Sequence, residues 1–128
     1  MKRLLLALLL CLSFPLWAAD APHVTARILL QSSPLAGFRY HEGKEIWGEL
    51  KVGDVLQLVR EPDNSYDPKA VRVDWHGHVL GYVPRAENAA VARQMDRGEK
   101  LEARIAKLRK SRNPRQRIEF EIFLRGAE

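Results

Sequence analysis

Cysteine is almost absent from this chain of 128 residues: one thiol, Cys11, falls inside an N-terminal apolar run and none follows it. Everything downstream therefore folds without disulfides, and thiol catalysis, a thioredoxin-like pair and a cysteine zinc cluster are excluded there. A long apolar run is missing as well. The stretch from Leu4 through Leu12 ends at Ser13-Phe14-Pro15, short of the roughly 20 residues that a membrane helix needs. No GxxxxGK[ST] phosphate loop is present, which excludes a motor of that type. Ser32, Ser33, Ser65 and Ser111 have no nucleophile-elbow context, and no repeat or low-complexity stretch occurs.

What is present begins with a leader. Lys2 and Arg3 precede the apolar run, and Trp17-Ala18-Ala19-Asp20-Ala21 supplies small residues after it, the pattern of a secretory signal peptide. Cleavage is expected after Ala18 or Ala19, making residues 1–19 the leader, since a cut after Ala21 would leave Pro22 directly beyond it. Leu10 before Cys11 is not the small residue that precedes a lipid-modified cysteine. The expectation is an exported protein, periplasmic or secreted, without stable membrane insertion. Residues 22–126 then form one domain, and a chain of about 110 residues buries roughly two thirds of its unfolded surface, enough for a core without disulfides.

Alternating segments dominate that domain. Val24, Ala26, Ile28 and Leu30 predict a first strand ending at Ser32-Ser33-Pro34, followed by a structured loop from Leu35 to Trp47. A second strand is expected at Val55 to Arg60. Val71 to Trp75 and His78 to Val83 flank His76-Gly77 as a hairpin. Pro84 fits the first turn of one helix over about Arg85 to Arg97, stopped by Gly98. Leu101-Ala103-Ile105 and Ile118-Phe120-Ile122-Leu124 add two strands around a loop centred on Asn113-Pro114. Five to six strands and one α-helix predict an all-β dominated fold, a small closed or nearly closed barrel.

The net charge of +5 is mild, but it is unevenly spread. Residues 93–117 hold ten Lys or Arg against three acids, a local +7. Residues 107–117 hold six cations and no acid. On a hairpin tip, Lys107, Arg109, Lys110 and Arg112 make a basic finger able to displace counterions from a nucleic-acid backbone. The same loop also reads as a solvated surface, and acidic glycans or lipid headgroups would be drawn to it too. Asp74, His76 and His78 lie about one turn and make a three-ligand metal site conceivable, while solvated turn histidines are the commoner case. Asp63 and Asp67 form a carboxylate pair able to hold a cation or act as acid and base. Trp47 and Trp75 read either as stacking platforms or as core.

Between the two prolines Pro62 and Pro68, Asp63, Asn64, Tyr66 and Asp67 crowd into one turn-rich segment. Such residues commonly bond only their own backbone. Their order adds more. Leu58-Val59-Arg60-Glu61-Pro62-Asp63-Asn64-Ser65-Tyr66-Asp67-Pro68-Lys69-Ala70-Val71-Arg72-Val73, followed by Gly81-Tyr82-Val83-Pro84-Arg85, resembles the central signature of the HIRAN domain. Gly37-Phe38-Arg39-Tyr40 and Lys51-Val52-Gly53-Asp54 extend the likeness upstream. The resemblance implies a small OB-like β-barrel and a pocket for the 3′-hydroxyl end of single-stranded DNA. By position it assigns Arg39 and Tyr40 to backbone contact and base stacking, Asn64, Tyr66 and Asp67 to the terminal nucleotide, and Arg85 to a phosphate. Tyr82 stands where well-characterised binders carry histidine; it counts among the nucleic-acid-binding residues, keeping a ring and a hydrogen-bonding tip without becoming cationic near neutral pH.

The expected function is thus a non-catalytic, exported module for single-stranded nucleic acid near a free 3′-hydroxyl end, needing no cofactor. Two other readings stay open. One is an extracytoplasmic domain that binds a protein partner or an acidic polymer; the other is a metal-dependent hydrolase of phosphate esters. Oligomeric state is not legible.

Overall fold

The computed structural model describes residues 26–126, so the expected leader and Val24 lie outside the described residues. Six strands form one antiparallel sheet: β1 (Arg27–Pro34), β2 (Val55–Arg60), β3 (Val71–Trp75), β4 (His78–Tyr82), β5 (Leu101–Leu108) and β6 (Ile118–Arg125). Their order is β1-β6-β5-β2-β3-β4. The sheet curls until its edges meet at one bridge, where Ala36 and Tyr82 exchange two backbone hydrogen bonds of 2.9 Å. It is barrel-like without a continuous ladder between the first and last strands.

Period-two alternation sets the core. Ile118, Phe120 and Ile122 of β6, Ala103 and Ile105 of β5, and Val71 and Val73 of β3 are buried, while their neighbours face outward. Leu35, Phe38, Ile46 and Leu50 close one end. Burying a side chain such as Phe120 contributes about 1.5–3 kcal/mol. At the hairpin, His76 and Gly77 both take positive φ, 45° and 80°, the tight reversal whose twist matches the flanking strands.

The pattern within β1 and two later boundaries differ from the sequence reading. Strand β1 ends at Pro34, as expected, and a bulge between Leu29 and Gln31 shifts its register onto β6. Proline is tolerated there on an edge strand. The expected alternation does not hold in this strand: Ile28, Leu29 and Leu30 are all exposed, and Ser33 is the buried residue. The expected loop from Leu35 to Trp47 winds into a 3-10 turn (Phe38–Tyr40) and a short helix α1 (Gly43–Ile46), with a second 3-10 turn at Trp47–Glu49. Helix α2 spans only Ala89–Asp96. Pro84 opens a separate turn, closed by the Glu87 N–H on the Pro84 carbonyl at 2.8 Å, and Asn88 takes the N-cap position.

Candidate nucleic-acid interface

Glu61 stands at the root of the loop between β2 and β3. Its N–H donates to the Ala70 carbonyl at 3.0 Å, closing the neck. Its carboxylate receives the Tyr82 hydroxyl at 2.8 Å, Asn64 Nδ2 at 3.1 Å and Arg72 Nη1 at 3.0 Å. Burial alone would raise the Glu61 pKa, but the hydrogen bonds from Asn64 and Tyr82 and the charge of Arg72 outweigh it and hold the acid below its ordinary value. Burial and the Glu61 carboxylate push the Tyr82 phenol up. Arg72 forks onto Asp74 at 2.8 and 2.9 Å, which raises its pKa further.

From that root the loop is organised by two side chains. Asn64 Oδ1 accepts the N–H groups of Tyr66 and Asp67 at 2.9 and 3.1 Å. Asp67 Oδ1 accepts the Lys69 N–H at 2.9 Å, and Oδ2 accepts Asn88 Nδ2 at 2.7 Å. The Lys69 N–H, the Asn88 amide and the nearby charge of Arg85 hold Asp67 ionised, below the usual carboxylate range. Each Asp67 oxygen keeps one lone pair free of protein donors. Asn64 has its oxygen fully used, so it shapes the loop and retains a single N–H for a ligand. Tyr66 itself is 87% exposed.

On the neighbouring segment Tyr40 is 76% exposed, with the Arg39 guanidinium 5.1 Å from its ring centroid. His41 links this turn to the loop, its ring 5.6 Å from that of Tyr82. Contact therefore runs from His41, next to Tyr40 in the chain, through Tyr82 and Glu61 to Asn64, which holds the backbone of Tyr66 and Asp67, and the charge of Arg85 acts on Asp67. Sequence reasoning missed two members of this chain. Glu61 lay in the quoted motif without a role. Asn88 is 2% exposed; the sequence reading put it inside the expected helix, whereas it stands at the N-cap of α2, caps nothing with its side chain and clamps Asp67 instead.

The two depressed carboxylates set a pH dependence. Their contribution to stability is complete above the unfolded-chain values, about 4.3 for Glu and 3.9 for Asp, and drains away as pH falls through the lower folded values. The expected result is a melting temperature that is flat from neutral pH down to about 5 and then drops. Glu61→Gln should flatten part of that drop in thermal melts across a pH series.

The basic loop does not project as a finger. Arg109 N–H bonds the Arg117 carbonyl at 2.9 Å, and Arg117 Nε bonds the Ser111 carbonyl at 2.9 Å, folding the loop back against the Phe38 turn. This divides the cations. Lys110, Arg112 and Arg117 line a groove of about 460 Å³ with Phe38, Lys44, Trp47 and Ser111. Lys107 and Arg109 line another recess with Pro34, Arg115, Gln116, Ile118 and Glu119, where Lys107 lies 3.8 Å from the Glu119 carboxylate. The hairpin histidines pack around Trp75, His76 edge-on at 4.3 Å and His78 stacked at 6.1 Å. Asp74 is occupied by Arg72, so Asp74, His76 and His78 are not assembled into a ligand set. Among the described residues no three His, Cys, Asp or Glu side chains are grouped to hold a metal ion. Trp75 is structural, its Nε1–H donating to Asp54 at 3.1 Å.

The family model of the HIRAN domain matches residues 28–125. The chain belongs to the HIRAN family. HIRAN domains are in general DNA-binding modules, non-catalytic on their own. By structure this HIRAN domain is similar to a protein from Lactobacillus plantarum, with TM-score 0.70 and 28% identity over 80% of this chain and 99% of that one. It also shares its fold with the HIRAN domain of human HLTF, with TM-score 0.61 and 23% identity over 80% and 81% of the two chains. In sequence, a Fanconi-associated nuclease 1 homolog of rice, Oryza sativa subsp. japonica, is 36% identical over 67 residues. That segment is 49% of this chain but 6% of the nuclease homolog.

Proposed function

We propose that this HIRAN domain binds single-stranded DNA at a free 3′-hydroxyl end, without catalysis, and does so outside the cytoplasm. The observation that carries the reading is the exposure of two tyrosines, Tyr66 at 87% on a pre-formed loop and Tyr40 at 76% on the Phe38–Tyr40 turn. A ring left in water at that cost offers a face on which any base stacks, worth about 1–3 kcal/mol per base. Asp67, ionised and already fixed by Lys69 N–H and Asn88, accepts a hydrogen bond from a terminal hydroxyl and repels a terminal phosphate. Arg39 and Arg85 face the flanking phosphates. Sequence preference is weak, because stacking and phosphate contacts carry no base identity. The leader expected over residues 1–19 supports export.

Fluorescence anisotropy with strands ending in a 3′-hydroxyl or a 3′-phosphate tests the end site. The hydroxyl strand should bind at least about tenfold more tightly, or about 1.4 kcal/mol, and Asp67→Asn should narrow that gap. Equal affinities would remove the role of Asp67. Binding should also weaken steeply with salt; a salt-insensitive complex would point instead to a protein partner.

A further inference from the structure

The groove between the Phe38 turn and the β5–β6 loop is unused by the end site. Its residues come from two distant segments, and helix α1 divides it from the Tyr40 side. Lys44 and Trp47, three residues apart, face the groove, whereas Glu42, Glu45 and Ile46 line the recess that holds Tyr40 and His41. That is the division helical spacing imposes. Its floor is aromatic: Phe38 and Trp47 meet edge to face at 5.7 Å and 81°, and the Arg117 guanidinium lies 5.4 Å from the Phe38 ring centroid. Its rim is cationic. Lys44, Lys110, Arg112 and Arg117 line it without any acid, and none of the four has an ion-pair partner among the described residues, unlike Arg60, Arg72, Arg104 and Lys107.

We infer that this groove is a second nucleotide subsite, which takes an internal nucleotide of the same strand whose terminus lies at Tyr66. The inference rests on the end-binding reading above. The base stacks on the exposed part of Trp47, and Lys44, Lys110 and Arg112 hold the flanking phosphates. An aromatic floor under an acid-free cationic rim matches the alternation of base and phosphate, whereas an acidic peptide would use the rim alone. A pocket for one terminal nucleotide is also smaller than the roughly 4–16 nucleotides that an OB fold usually covers.

The test compares a 3′-hydroxyl dinucleotide with a strand of about 12 nucleotides, using the wild type, Lys110→Gln/Arg112→Gln and Tyr66→Ala. The exposed loop pair should lower affinity for the long strand about tenfold and reduce its salt slope by about 1.4, since each neutralised single-strand phosphate contributes about 0.7. Dinucleotide affinity should stay within about twofold. The long strand alone should quench tryptophan fluorescence. A loop pair that affects both lengths equally, or neither, overturns the subsite and leaves the end site standing. If Tyr66→Ala and a blocked 3′ end change nothing while the loop pair removes binding, the end site fails and the groove stands alone. Equal competition by polyglutamate would overturn the nucleotide assignment, and a wild type that binds neither length overturns both sites.

Discussion

Tyr66→Ala is expected to weaken single-stranded DNA binding by about 1–3 kcal/mol, roughly five- to 150-fold, and to leave the melting temperature unchanged. The two outcomes separate because the ring and the backbone of Tyr66 do different things. Its N–H is held by Asn64, and alanine keeps that bond. Its ring is 87% exposed, so removing it opens no cavity and strips no buried apolar contact. Tyr66→Phe should bind almost as well as the wild type, since stacking needs the ring and not the hydroxyl. Tyr82→Phe is the informative contrast. That hydroxyl donates to the ionised Glu61 at 2.8 Å, so its loss falls on loop stability by about 1.5–3 kcal/mol. Anisotropy and thermal melts on the three variants measure both quantities. A Tyr66→Ala protein that binds normally would remove the stacking role.

The elements read correctly from sequence are those that a local period determines. Ile118, Phe120 and Ile122 repeat at two residues and are buried together, and His76-Gly77 sits between two alternating runs where only a tight reversal fits. The misread parts have non-local causes. Ser33 is drawn inward by its hydroxyl, which donates to the Glu87 carboxylate 54 residues away at 2.7 Å. The Glu87 carbonyl accepts Gln31 Nε2 at 3.1 Å. Those bonds fasten the Pro84 to Glu87 turn to β1 and delay the helix to Ala89, against the local preference that Pro84 states. The site divides in the same way. Asn64 and Asp67 were legible as turn residues, and the resemblance placed them in a pocket. That Asn64 would spend its oxygen on two backbone donors, or that Asp67 would be clamped by Asn88 from 21 residues away, depends on the curl of the sheet. The split of the basic loop between two recesses depends on Arg117 folding back onto Ser111 and Phe38, contacts that charge counting does not register.

Gly81→Ala should be strongly destabilising, because it strikes the place where the curled sheet meets itself. A Cβ at Gly81 would collide with the Ala36 carbonyl oxygen and crowd Leu35 Cγ at 3.1 Å and the Ala36 carbonyl carbon at 3.3 Å. The obstacle is backbone and a buried side chain, neither of which has room to yield, so the methyl must push β4 away from the chain that follows β1. Ala36 and Tyr82 then lose their paired 2.9 Å bonds, the only bridge between the two edges among the described residues. Overpacking of this kind costs about 1–3 kcal/mol, and two strained backbone bonds add to it. For a domain of about 100 residues each kcal/mol lowers the melting temperature by about 4–8 °C, so a drop of roughly 10 °C or more is expected. Tyr82 is the next residue, and its hydroxyl holds Glu61 at the root of the loop, so DNA affinity should fall along with stability, whereas Tyr66→Ala lowers affinity alone. Thermal melts and anisotropy on Gly81→Ala check both parts. A variant with wild-type melting would mean that the edges do not need to meet this closely for the domain to hold its shape.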